Sequence, residues 1–125
     1  MTPQEQWSRC KGWIQAALDH SPGLETIEDV ERNIESGRYH FWPSQQSAVI
    51  TRVDEYPTGK VLMAVHGGGN LAELMTRVIP ALEEFAQCNG FDYFGGEGRE
   101  GWVRTLKSSG YEVAFVTMLK PLRLH

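Results

Sequence analysis

The run Val61-Leu62-Met63-Ala64-Val65 is apolar at every position and leads through His66 into three glycines, Gly67-Gly68-Gly69. A long amphipathic segment then opens on Asn70. An unbroken apolar run of this length reads as a central strand covered on both faces. With a helix directly after it, the chain is constrained to an α/β arrangement with helices packed on a sheet. A strand that feeds glycines and then a helix N-terminus can present backbone N–H groups to an anion. The same triplet also serves as a plain flexible turn, and both readings stand on the sequence alone.

The rest follows from period and punctuation. Residues 70–89 carry Leu71, Leu74, Met75, Val78, Leu82 and Phe85 on one helical face, with Asn89-Gly90 as the stop. Pro80 inside this segment predicts a kinked helix, since the carbonyl of Thr76 loses its partner. A strand over 91–94, a glycine-rich turn, a short helix and a strand over 111–119 follow. Upstream, Trp7, Cys10, Ile14, Ala17 and Leu18 form the stripe of a helix over about 3–20, stopped by Ser21-Pro22-Gly23. A second helix opens at Thr26 with acids in its first turn, shows Ile27, Val30 and Ile34 on one face, and ends at Gly37. The period then becomes two. Strands over 38–42, 47–54 and 60–66, joined by Pro43-Ser44-Gln45-Gln46 and Tyr56-Pro57-Thr58-Gly59, make an antiparallel meander. In the middle strand Ala48, Ile50 and Arg52 point one way and Val49, Thr51 and Val53 the other. The expectation is one domain over 1–125: a helical pair (1–37), a meander (38–66), then glycine loop, long helix and a closing β-α-β unit (67–120).

Composition narrows the function classes. A formal charge of −4, with lysines and arginines scattered, argues against broad nucleic-acid binding. Cys10 and Cys88 match no metal or redox spacing and read as two half-buried thiols in a reducing compartment. His20, His40 and His125 show no ligand spacing, so no metal is expected. The N-terminus lacks the pattern of a signal peptide and no apolar run reaches membrane-spanning length, which places the chain in the cytoplasm.

Helix, helix, three-stranded meander, glycine loop, long helix, strand, short helix, strand is an order of elements that resembles the GNAT acetyltransferase domain without its usual first strand. The resemblance covers nearly the whole chain and is strongest at the glycine triplet and at Gly110-Tyr111. It implies an α/β (α+β) fold with a mixed, mostly antiparallel sheet flanked by helices. More narrowly, Gly98-Arg99-Glu100-Gly101-Trp102-Val103-Arg104-Thr105-Leu106, with Ser36-Gly37-Arg38 and Tyr56-Pro57, resembles small GNAT-like proteins of bacteriophages and prophages. That resemblance implies a bacterial host cytoplasm, or incorporation into a phage particle, and a virion-associated or assembly role with a protein partner or self-association.

If the resemblance extends to chemistry, acetyl-CoA is the cofactor, held by Met63, Val65, Gly67, Gly68, Gly69, Asn70 and Leu71. The family's loop begins with a basic or amide residue, and this chain has His66 there. The position that commonly holds a general-acid tyrosine, four residues before Gly110, is Leu106, which can donate nothing. A position the family keeps small is Trp102. The strand over 61–65 contains no carboxylate, so the candidate proton acceptors are Glu97 and His66. Each also reads as an ordinary turn or strand-end residue. These absences favour a degenerate site without turnover, the alternative being an N-acetyltransferase acting on an amine.

Two further features need weighing. Gly96-Glu97-Gly98-Arg99-Glu100-Gly101 satisfies a dinucleotide-binding pattern, but the next strand ends without an acid and the chain is too short for two mononucleotide halves. A tight turn that projects Arg99 toward a partner's carboxylate or phosphate is the simpler reading. Tyr39, Phe41 and Trp42 belong either to the core or to an exposed patch fit to anchor a partner.

Overall fold

The computed structural model describes residues 1–98 and 100–123, and for residue 100 the backbone. Arg99, expected to project toward a partner, lies outside the described residues, as do Leu124 and His125. Two helices open the chain, α1 (Pro3–Asp19) and α2 (Ile27–Ser36). Thr2 caps α1 by accepting from the Glu5 N–H, and Thr26 and Asp29 form a reciprocal capping box on α2. The backbone and side-chain donors of Thr26 hold the Asp29 carboxyl below its ordinary range. Gly37 ends α2 at φ 84°, a left-handed conformation open to glycine.

Strands β1 (Tyr39–Pro43), β2 (Ser47–Tyr56) and β3 (Gly59–Gly69) form the antiparallel meander, and β4 (Tyr93–Gly96) joins parallel to β3, giving the order β1-β2-β3-β4. Helices α1 and α2 cover one face of this sheet. There Cys10, Ile14, Val30, Ala48, Ile50, Met63 and Val65 are buried together. Val49, Leu74, Val78 and Leu82 make the core of the other face, joined by Trp42, Phe94 and Trp102. Among the described residues no helix is long and apolar enough to cross a membrane.

The structure differs from the sequence reading in four places. First, Gly67, Gly68 and Gly69 are not a loop: they are the last residues of β3, opposite Val49, Ala48 and Ser47. A Cβ on Gly68 would sit 2.4 Å from the Trp13 carbonyl oxygen, so the glycine is there to let α1 cross the sheet closely. Gly69, at φ 104°, would meet Gln46 O at 2.3 Å. Second, the segment after Asn70 is not one kinked α-helix. It comprises α3 (Leu71–Glu73), a π-helical turn (Leu74–Val78) and α4 (Ile79–Cys88). Pro80 falls at the start of α4, where its missing N–H matters least, and the wide turn before it absorbs the mismatch.

Third, the expected strand over 111–119 is absent. A helix α5 (Glu100–Lys107) follows β4 as expected, but residues 112–123 are exposed and pair with nothing among the described residues, so the closing β-α-β unit lacks its last strand. The segment has the composition of a strand but no neighbour to bond to. Fourth, the two thiols are unlike each other: Cys10 is buried and Cys88 exposed. Burial also pushes the Cys10 thiol up, away from the reactive thiolate. An alkylating reagent is therefore expected to modify the native protein at Cys88 and to reach Cys10 only in denaturant, read by intact-mass spectrometry. Rapid native labelling of Cys10 would mean that α1 does not stay on the sheet.

Candidate functional site

The site is made by two strands that part. Parallel pairing of β3 with β4 runs from Val61↔Tyr93 to Ala64↔Gly96, and the Glu97 N–H still reaches Ala64 O at 2.9 Å. Beyond that point β3 continues to Gly69 paired with β2 only. On its other side the register jumps, Ile50 facing His66 and Thr51 facing Ala64, which leaves Val65 as the extra residue of a β-bulge. The bulge puts a kink in β3 just where β4 leaves it.

The gap between the strands is a small cavity of about 40 Å³. It is lined by Val49, Ala64, Leu74 and Phe94, by His66 and Glu97, and by Trp102 and Leu106 of α5. The glycines of the turn before α5 explain how that helix comes so near. A Cβ on Gly96 would lie 3.2 Å from the Leu106 side chain, and one on Gly98 would lie 2.9 Å from Trp102. The pattern of glycines that imitates a dinucleotide fingerprint is thus a seat for Trp102 and Leu106.

Two of the lining residues, His66 and Glu97, belong to polar clusters. His66 Nε2 lies 2.5 Å from Glu25 Oε1, and Tyr39 donates its hydroxyl to Glu25 Oε2 at 2.6 Å. The His66 and Glu25 side chains are 12% and 22% exposed, so this contact is largely shielded from water. Burial first, and then the Glu25 carboxylate, push the Tyr39 phenol well above its ordinary range, so it remains a donor. Arg52 grips Asp54 through Nε at 2.8 Å and Glu97 through a terminal nitrogen at 2.7 Å. Those carboxylates, Asp54 first, hold the guanidinium firmly charged. Each candidate proton acceptor therefore already has a partner: His66 has Glu25, and Glu97 has Arg52.

Of the residues expected to hold a cofactor, Met63 pairs with Gly95 in the β3–β4 ladder and Val65 occupies the bulge. Gly67, Gly68 and Gly69 lie in the ladder with β2. Asn70 gives its N–H to Gln46 O at 2.8 Å and caps the helix by accepting from the Glu73 N–H at 2.8 Å. Leu71 is half exposed beside it. The N–H groups imagined as an anion cradle are thus partly committed to strand pairing and capping. Tyr39, Phe41 and Trp42 are not an exposed aromatic patch. Tyr39 and Phe41 pack on the α1–α2 core, with Trp7 edge-on to Phe41 at 5.2 Å. Trp42 packs on the other core and donates to Thr51 Oγ1 at 2.8 Å.

Sequence reasoning missed Glu25, Arg52 and Asp54. Arg52 carried a signal: it shares the phase of Ala48 and Ile50, and a charge on an apolar phase asks for a buried or shielded partner. Glu25, in the turn between α1 and α2, carried none.

No protein-family model matches the chain, and no curated protein matches it. Solved structures do. It superposes on an aminoglycoside acetyltransferase from an uncultured soil metagenomic sample, solved with sisomicin, with a TM-score of 0.68 at 9% identity over 97% of this chain and 91% of that one. The glucosamine-6-phosphate N-acetyltransferase of Arabidopsis thaliana gives 0.61 at 13% identity over 90% of each chain. A transcriptional regulator from Bacillus halodurans C-125 gives 0.63 at 10% identity over 100% and 95%. The fold is that of the GNAT acetyltransferases, with a mixed four-stranded sheet flanked by helices. At such identities the likeness carries the fold and not the chemistry.

Proposed function

We propose that this protein uses the acetyltransferase fold without acetyl transfer, as a partner-binding or assembly protein of phage or prophage origin. One observation supports a lack of turnover: the gap between β3 and β4, lined in part by Trp102 and Leu106, holds only about 40 Å³. A thioester arm needs a far larger slot, since pockets for small ligands run to about 300 Å³ or more. The missing donor at Leu106 and the prior engagement of His66 and Glu97 support the same reading. The phage origin rests on the resemblance of the segment around Trp102 to phage-encoded proteins of this fold.

The test is calorimetric titration of acetyl-CoA, with desulfo-CoA as control. The native protein is expected to give no heat at millimolar ligand. Trp102→Ala combined with Leu106→Ala, which removes both side chains from the slot, is expected to gain weak binding. Micromolar binding by the native protein would overturn the reading.

A second reading draws support from the bulge at Val65 and the end of β3–β4 pairing at Gly96, where a thioester would lie if the gap widened. In that case the protein is an acetyl-CoA-dependent N-acetyltransferase. The amine would enter beside Glu97 and Tyr39, with His66 or Glu97 taking its proton after release from Glu25 or Arg52. Orientation and backbone stabilisation of the oxyanion would supply much of the rate. Acetylation of an amine panel by the native protein, lost in His66→Leu or Glu97→Gln, would favour this alternative.

A further inference from the structure

A second hollow lies on the α4 side of the sheet, at the end of β1. It holds about 200 Å³ and shares no lining residue with the gap between β3 and β4. Trp42, Pro43 and Ser44 line it from the sheet, and Arg77, Val78 and Leu82 from the helical segment. Trp42 is fixed in two ways. Its indole N–H donates to Thr51 Oγ1 at 2.8 Å, and its ring meets Phe85 edge-on at 5.0 Å. An aromatic surface held in advance costs little to order when a ligand arrives.

Arg77 is the one charged residue on this lining, and among the described residues it makes no ion pair. Glu73, one turn before it, directs its carboxylate to the Gln46 N–H and the Ser47 hydroxyl instead. Arg77 and Val78 belong to the π-helical turn, a distortion that recurs at functional sites. We propose that the hollow binds a small aromatic carboxylate, its ring against Trp42 and the aliphatic side chains and its carboxylate on Arg77. The charge balance selects the head group. A carboxylate matches a single guanidinium through two parallel hydrogen bonds, whereas a phosphate brings further charge for which the lining has no cation. The volume selects the body. Drug-sized ligands occupy about 300 Å³ or more, so this site takes one or two rings and not a longer molecule.

This inference does not rest on the proposed function, because the two cavities have no residue in common. The acetyl-CoA titration and the present test therefore fail separately. Indole-3-acetate is the probe, titrated into isotope-labelled protein and followed by NMR. The Trp42 indole N–H and the Arg77 and Ala81 amides are expected to shift saturably, with a dissociation constant on the order of 1 mM or below. Indole-3-acetamide, of the same shape without the charge, is expected to bind about 10-fold more weakly. Arg77→Gln should weaken the acid by about 10-fold and leave the amide nearly unchanged, which couples the charge to that residue.

Ala81 also lines the hollow, and Ala81→Phe is expected to fill it and abolish binding of acid and amide alike. Arg77 and Ala81 are both exposed, so each variant should fold, with the thermal midpoint as the check. If Ala81→Phe does not fold, the comparison of acid with amide in Arg77→Gln still decides. Absence of saturable shifts up to about 10 mM acid would overturn the proposal, as would equal affinity for acid and amide. So would shifts centred on Trp102 and Leu106, which would put the ligand in the gap between β3 and β4. Tighter binding by a short peptide ending in phenylalanine would overturn it too, making a peptide C-terminus the ligand.

Discussion

Gly68→Ala is expected to destabilise this protein by about 3 kcal/mol, a large share of the roughly 5–15 kcal/mol available to a domain of this kind. The added Cβ would stand 2.4 Å from Trp13 O and 3.0 Å from Trp13 C. Both are backbone atoms, so no side-chain rotation relieves the clash and α1 must move as a body. That helix buries Cys10, Ile14 and Leu18, so the shift loosens the core on that face. Gly67→Ala is the control, because its new methyl would meet Val49 Cγ2 at 3.8 Å, an ordinary contact. Thermal unfolding followed by circular dichroism should place Gly68→Ala roughly 10–15 °C below the native protein, with Gly67→Ala within a few degrees of it. Equal midpoints for the two variants would show that α1 does not cross the sheet at Gly68. The result also bears on ligand studies: loss of activity in a bulky Gly68 variant would report on α1 packing before any cofactor.

Glu25→Ala is the second large effect. The substitution leaves two shielded groups, the His66 imidazole and the Tyr39 hydroxyl, without the carboxylate that both bond. Stranding such groups costs about 1–3 kcal/mol each, less whatever water can restore, so a loss of about 2–4 kcal/mol is expected. Urea unfolding measures it. Removing the stranded groups as well, in Glu25→Ala with Tyr39→Phe and His66→Leu, should recover part of the loss, the signature of a coupled network. If Glu25→Ala costs no more than Glu35→Ala on the exposed side of α2, the carboxylate is not tying the α1–α2 turn to the sheet.

Much of this architecture was legible in the sequence because its causes are local. Thr26 and Asp29 cap a helix within one turn, Gly37 ends it, and the alternation through residues 47–54 marks a strand without reference to anything distant. What was not legible has distant causes. Nothing near Gly68 in sequence announces the Trp13 carbonyl, so three glycines look like a loop until α1 is laid across them. Glu25 and His66 are 41 positions apart, and Arg52 and Glu97 are 45 apart, distances at which no spacing rule operates. Residues 111–119 show a third kind of gap. Their pattern reads as a strand and the structure has none there, because a strand exists only when something pairs with it. Of the candidate site, His66, Glu97, Trp102 and Leu106, singled out through the resemblance, line one cavity, and the groups that restrain the first two were not legible.

The π-helical turn at Leu74–Val78 sets the phase of everything downstream of it. A regular helix advances about 100° per residue, so one extra residue in a turn rotates the whole of α4 by that angle relative to α3. Upstream of the turn, Glu73 is oriented to accept from the Gln46 N–H and the Ser47 hydroxyl at the head of β2. Downstream, Leu82 and Ala86 face the sheet. An uninterrupted α-helix over the same residues could satisfy one of these alignments but not both. The wide turn therefore acts as a coupling of fixed angle between a polar anchor at one end of the rod and an apolar face at the other. Proline at position 80 keeps the coupling from relaxing back into a regular helix.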